Sequence, residues 1–237
     1  MFLASFRLKT AVQKWLYDTR MMWRFPDLHP GQELSERALR DSCDYIEQNM
    51  PAAIGLPTAR EVLDVAMQGL PDGQVAEFGV YRGGTINYIA KRLRDRTVHG
   101  FDSFQGLPEA WSGGSNNSQA GMFSTGGKLP SVRNNVRLHV GLFTESLPRW
   151  LAEHSGPMAL VHIDCDLYSS TKSIFSHLVD RFVPGTVIVF DEYFNYPNWR
   201  QHEFRAFQEL VAERRLKYEY VAYARIQVCV RITAIGD

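Results

Sequence analysis

Carboxylates at the ends of apolar runs are where this sequence could do chemistry. VHIDCDLYSS sets Asp164 and Asp166 directly after a strand-like run, and TVIVFDEY does the same with Asp191 and Glu192. Burying a carboxylate is costly unless a cation or hydrogen-bond donors meet it. Asp164, Asp191 and Glu192, at the ends of neighbouring strands, would repel one another unless a divalent ion sat among them. An all-oxygen donor set points to Mg²⁺, with waters or substrate oxygens completing its shell. A hydrogen-bonded network or ordinary helix caps are the plainer alternative. Asp166 suits the cap of the following helix, with Ser169 and Ser170 as substitutes.

A second constellation lies upstream, in EFGVYRGGT. No GK[ST] follows, so it is not a P-loop, and its spacing is not the G-x-G-x-x-G of dinucleotide sites. A turn with an acid and close-approaching glycines suits a cationic nucleoside without phosphates, and S-adenosylmethionine fits. Glu77 would stand near its methionine end. Gly79 and Gly83 would let the backbone approach, with Tyr81 between them. Asp102, ending the second strand, would accept both ribose hydroxyls, with Ser103 beside it. Gly141 at the third strand end and Asp164 complete the expected donor-binding set. An ordinary glycine turn is the alternative reading. His139 and His162 fall inside strands and read as core residues. His202, Tyr193 and Trp199, near the rim-side start of the last helix, are candidate substrate contacts. Cys165 alternates away from its acidic neighbours and reads as packing.

The elements that must position these residues follow from periodicity. Residues 33–70 read as helices, with Thr58 and Glu61 at capping-box spacing. Strands are expected at 75–80, 98–104, 136–141, 158–164 and 186–193, with helices between them and a last helix over 199–215. Thr144 is the expected cap of the helix over 144–154, and 218–232 reads as two antiparallel strands. Alternating apolar strands and helices make an α/β fold with a parallel sheet covered on both faces. Ligands in such sheets bind beyond the carboxyl ends of the strands, where these acids collect. The Gly/Ser/Asn-rich stretch 105–129 is long for a connection and reads as a lid, with an inert insertion as its rival.

Composition narrows the class. The chain has 237 residues, with Lys+Arg 26 and Asp+Glu 26, so its formal net charge is zero. No global field favours nucleic acid or an anionic membrane. Cys43, Cys165 and Cys229 lack metal or disulfide spacing, and a reducing, cytoplasmic setting is the simplest expectation. No apolar run is long enough to span a bilayer. Near the N-terminus Phe2, Phe6, Val12, Trp15, Leu16, Met22 and Trp23 recur on a roughly helical period, as in a packing or homo-oligomer contact helix or a membrane-surface helix. The expected organisation is a helical cap, oligomer or acceptor-binding region over 1–70 and a donor-binding domain over 71–237.

EFGVYRGG, FDSFQGLPE, HIDCDLYSST and VIVFDEYFNYPNWRQHE together resemble the macrocin O-methyltransferase family. That resemblance implies a Rossmann-like class I methyltransferase sheet, mostly parallel with an antiparallel C-terminal strand. It implies S-adenosylmethionine as donor, a sugar or glycosylated metabolite as acceptor, and magnesium on Asp164, Asp191 and Glu192, with Asp164 also the base. One departure stands out: antibiotic-sugar members typically carry two aspartates where this chain has Asp191-Glu192. Catechol-type O-methylation, a nucleotide-cofactor oxidoreductase and a non-catalytic binding protein are the alternatives.

Overall fold

A computed structural model describes residues 30–112 and 118–236. The N-terminal apolar stripe from Phe2 to Trp23 lies outside the described residues. The chain opens with α1 (Pro30–Asn49), β1 (Ile54–Gly55), α2 (Ala59–Ala66), β2 (Gln74–Phe78), α3 (Gly84–Arg92), β3 (Val98–Asp102) and β4 (Val136–Val140). It continues with α4 (Phe143–Glu153), β5 (Met158–Ile163), α5 (Tyr168–Leu178), β6 (Val187–Phe190), α6 (Glu203–Arg214), β7 (Lys217–Tyr223) and β8 (Val228–Ala234). Short 3₁₀ turns cover Val179–Arg181 and Trp199–Gln201.

The strands form one eight-stranded sheet in the order β1-β7-β8-β6-β5-β2-β3-β4. Only β8 runs against its neighbours β6 and β7. This is the expected parallel sheet with an antiparallel C-terminal strand. Helices cover both faces. Leu147, Trp150, Ile174, Phe175, Phe207 and Leu210 from α4, α5 and α6 bury one face. Val62, Leu63, Ile86 and Ile89 from α2 and α3 bury the other. That is why every residue of β5 and β6 is buried, and why those strands read as continuous apolar runs.

The N-terminal helices differ from the sequence expectation. Between α1 and α2 the two residues of β1 pair in parallel with Ala222 and Tyr223 of β7. The sheet therefore begins before residue 70. Thr58 caps α2 as its spacing predicts, accepting from the Glu61 backbone N–H at 3.3 Å. Thr144 does not cap α4, which starts one residue earlier after Leu142. Asp166 does not cap α5 either; the cap position falls on Leu167, whose side chain has no polar group to offer. Helix α1 docks through polar contacts: Asn195 N–H donates to Ser42 Oγ at 2.9 Å, and Arg200 grips both oxygens of Asp41. Among the described residues no helix is long and apolar enough to cross a membrane.

Candidate active site

The strand order reverses between β2 and β5, and a crevice opens there beyond the carboxyl ends. Register explains the convergence of acids. Phe78 pairs with Ile163 and Ile163 with Phe190, so the next residues along the three strands leave the sheet at one level. The ladder runs one step further, with Asp164 N–H donating to Phe78 O at 2.8 Å and Asp191 N–H to Ile163 O at 2.9 Å. A cavity of about 470 Å³ sits above this rim. Gly79, Tyr81, Asp102, Ser103 and Gly141 line one side, and Asp164, Asp166, Asp191 and Glu192 the other. None of the described residues lining it is Lys, Arg or His.

The acids are short of balancing charge, with His162 alone opposing the shift of Asp164. Burial, then Asp191, pushes the Asp164 carboxyl well above the usual range. Burial, then Asp166 and Glu203, pushes Glu192 up to about 11. Asp166 is raised chiefly by burial, although its hydrogen bond with Glu192 opposes the shift. Glu192 Oε2 is buried with no partner. This oxygen-only set fits a hard divalent cation, which would supply the missing charge. The three predicted ligands share the cavity wall, yet they are not drawn into one tight cluster. Among the described residues the trio of ligating atoms within 4.8 Å of one another is instead Glu77, His162 and Asp164. Glu192 leans on Asp166, a residue expected only as a cap. Asp166 reaches the cavity because its φ of +62° turns the chain back.

Several expectations are corrected. Glu77 does not line the cavity: it is 1% exposed, below Asp164, with its Oε1 3.2 Å from His162 Nδ1. Burial lowers the His162 pKa, but the hydrogen bond and charge of Glu77 outweigh it and hold the ring near 9. His162 is thus the cation that meets Glu77. The two are cross-strand partners, and no linear spacing signals that pairing. Gly79 has φ +95°, and a Cβ there would overlap the carbonyl of Asp164. Its missing side chain admits the neighbouring strand end, and Gly79 also lines the cavity. Gly83 is the left-handed cap of α3 beside Pro130 and does not line the cavity. Asp102 Oδ2 accepts from Val80 and Tyr81 N–H at 2.8 and 2.7 Å, and Oδ1 from Phe104 N–H at 2.7 Å. With three of about four acceptor sites used, it has room for one ribose hydroxyl rather than two.

Tyr193 and Trp199 are core residues rather than cavity residues. Tyr193 is fully buried, its hydroxyl 2.7 Å from that of Tyr220, and Trp199 packs edge-on against Phe204. His202 is 7% exposed and lies behind Glu192, outside the open cavity. Sequence reasoning passed over Ser173, Thr144, Leu107, Pro108 and Phe123, which do line it. Ser173 follows Ser169 and Ser170 on α5 at helical spacing, the signal that would have found it.

The stretch after β3 folds back on itself. Leu107 N–H donates to Met122 O, Gly121 N–H to Leu107 O, and Trp111 and Ser118 form an antiparallel bridge. Ser169 on α5 donates to Glu109, tying this excursion to the far side of the crevice.

A family profile described as Macrocin-O-methyltransferase (TylF) matches residues 50–218. Mycinamicin III 3''-O-methyltransferase of Micromonospora griseorubida is 31% identical over 72% of this chain and 76% of its own. A tetracenomycin-C rhamnosyl 4'-O-methyltransferase of Streptomyces olivaceus is 30% identical over 54% of this chain, which spans only 56% of that enzyme. Among solved structures, the O-methyltransferase NovP superposes with a TM-score of 0.54 at 25% identity, covering 73% of this chain and 77% of its own. The calicheamicin methyltransferase CalS11 shares the fold, with a TM-score of 0.59 at 21% identity over 84% and 91% of the two chains. By its profile match, its relatives and its sheet, the chain belongs to the macrocin O-methyltransferase family.

Proposed function

We propose that this protein is an S-adenosylmethionine-dependent O-methyltransferase acting on a hydroxyl of a sugar or glycosylated small molecule. One observation carries the reading: four carboxylates crowd one cavity wall at the switch point, with no cationic side chain among the described lining residues. That wall suits a divalent ion, and the cationic sulfonium of the donor suits the same negative field. Named relatives that methylate rhamnosyl-tetracenomycin and mycinamicin support a glycoside acceptor.

The Gly79, Tyr81, Asp102, Ser103 and Gly141 side would hold the donor, Asp102 taking one ribose hydroxyl. Asp164, Asp191 and Glu192, with Asp166 adjoining, would hold Mg²⁺, which when bound makes a nearby alcohol more acidic and fixes its orientation. Asp164, level with Gly79 at the crevice, would receive the acceptor's proton at a carboxylate oxygen. Leu107, Pro108 and Phe123 would exclude water from the reacting atoms. We read 1–70 as a cap, oligomer or acceptor-binding region and 71–237 as the donor domain, with β1 built into the shared sheet and α2 packed on its face.

Calorimetric titration with S-adenosylmethionine, followed by methyl transfer to a panel of glycosides with EDTA and then with Mg²⁺ restored, tests this. Donor binding and a chelator-sensitive, Mg²⁺-restored transfer are expected. A protein that ignores the donor overturns the reading, and transfer indifferent to EDTA removes the metal from it.

A further inference from the structure

Buried polar side chains in folded proteins are almost always hydrogen-bonded. Among the described residues six buried side-chain atoms have no partner: Glu77 Oε2, Trp111 Nε1, Ser173 Oγ, Glu192 Oε2, His202 Nε2 and Glu203 Oε1. All belong to the rim or its supports. Trp111 and His202 belong together: their ring centroids are 6.0 Å apart, and Tyr196 packs against both, at 5.8 and 6.1 Å. Tyr196 donates to the Glu192 backbone carbonyl, and the Glu192 N–H donates to Glu203 Oε2. The pair therefore stands directly behind Glu192, on the side of the crevice away from Gly79 and Asp102.

We propose that Trp111 and His202 read a hydroxyl of the acceptor next to the one that is methylated. This rests on the O-methyltransferase reading above and adds the residues that recognise the acceptor. The chemistry selects the group. An indole N–H only donates. Burial lowers the His202 pKa, against a hydrogen bond with the Ser112 backbone, and Nε2 of the neutral ring carries a lone pair or a proton according to tautomer. An alcohol satisfies both nitrogens in either tautomer, because it donates and accepts through one oxygen. A phosphate would need cations that the described cavity residues do not supply. An apolar group would leave both nitrogens unpaired.

Position supports the same assignment. Trp111 rides on the excursion that follows Leu107 and Pro108, both in the cavity wall, and Glu109 holds that excursion against Ser169. His202 comes from the far side, one residue before α6 begins. A sugar entering between Leu107 and Glu192 with one hydroxyl directed at the carboxylates would present its neighbouring hydroxyl towards this pair. Both nitrogens are shielded from solvent as the protein stands, so the sugar would have to part the Glu109–Ser169 contact to reach them.

The test uses the full chain saturated with S-adenosylhomocysteine and Mg²⁺, titrated with methyl α-L-rhamnopyranoside and its 2-, 3- and 4-deoxy analogues. Wild type, Trp111→Phe and His202→Phe are compared. Trp111→Phe keeps an aromatic ring and removes only the N–H. We expect wild type to prefer the parent sugar over one deoxy analogue by about 5- to 10-fold, the size of one hydrogen bond. Each variant should bind the parent sugar as weakly as wild type binds that analogue, with S-adenosylhomocysteine affinity unchanged. Equal weakening towards the parent sugar and every analogue would assign the pair to packing and overturn the proposal. So would unchanged sugar binding in both variants, which would leave a structural water as the occupant, or no sugar binding by wild type that binds S-adenosylhomocysteine. Failure to bind S-adenosylhomocysteine would instead sink the methyltransferase reading itself.

Discussion

Asp164 illustrates how much one position carries. Its N–H extends the ladder to β2, its carbonyl fills the space left by Gly79, and its carboxyl faces the cavity. The glycine is therefore a packing requirement placed at the centre of the candidate site. Gly79→Ala would force a Cβ into a backbone oxygen and hold a non-glycine residue at φ +95°, neither of which a rotamer change relieves. A loss of about 3 kcal/mol or more in denaturant unfolding is expected. Gly84→Ala, five residues away at the start of α3, meets nothing within 4 Å and should be neutral or slightly stabilising. Equal stability of the two variants would show that the strand ends can separate freely. The motif's glycines were legible in the sequence. Which of them faces ligand and which faces backbone was not, because that depends on the neighbouring strand end.

At the scale of elements, β5 and β6 were legible as apolar runs between turns, and β2 to β4 as short strand-favouring segments between helices and turns. Two-residue β1 was not, having too few residues to show a period. Pairings between strands were also hidden. Glu77 and His162 meet through register alone, and the histidines beneath α4 meet through the packing of that helix on β3 and β4. There His99 Nδ1 lies 3.0 Å from His139 Nε2 and accepts from Trp150 Nε1 at 3.1 Å, with His154 packed against both His99 and Trp150. Burial, then His139 and His154, lowers the His99 pKa to about 4. His139 is lowered as well, although Glu153 opposes that shift, and Arg137 adds to the pressure on His99. A depressed histidine favours the fold fully above its unfolded pKa of about 6.5, and the contribution is lost as pH falls towards 4. Between pH 6.5 and roughly 5 the stability advantage of wild type over His99→Phe should shrink by about 2 kcal/mol. The comparison cancels the raised carboxyls of Asp164, Asp166 and Glu192, whose contribution grows as pH falls. A difference that stays constant across that window would contradict the buried neutral ring.

Over the whole molecule, satisfaction and dissatisfaction are segregated. The two apolar clusters on the sheet faces are closed, while every unpartnered buried side-chain atom among the described residues lies at or just behind one rim. Such a protein is least settled where its ligands would bind, so those ligands should stabilise the entire fold by mass action. At a hundredfold excess over Kd the gain is about 2.7 kcal/mol per ligand, or roughly 5–10 °C in Tm for a chain of this size. Mg²⁺ and S-adenosylhomocysteine are each expected to raise Tm in a thermal scan, and to add when combined, since the proposed function gives them different walls of the cavity. Asp164→Asn separates them. It removes one of the crowded charges, so the metal-free variant should melt at or above wild type, opposite in sign to most substitutions of a buried residue. It should lose the Mg²⁺ increment and most of its turnover while keeping the S-adenosylhomocysteine increment. A variant that melts well below wild type without metal would mean that Asp164 is already balanced, with His162 serving it as well as Glu77. A full Mg²⁺ increment in that variant would move the ion to Asp166 and Glu192, the pair already in contact.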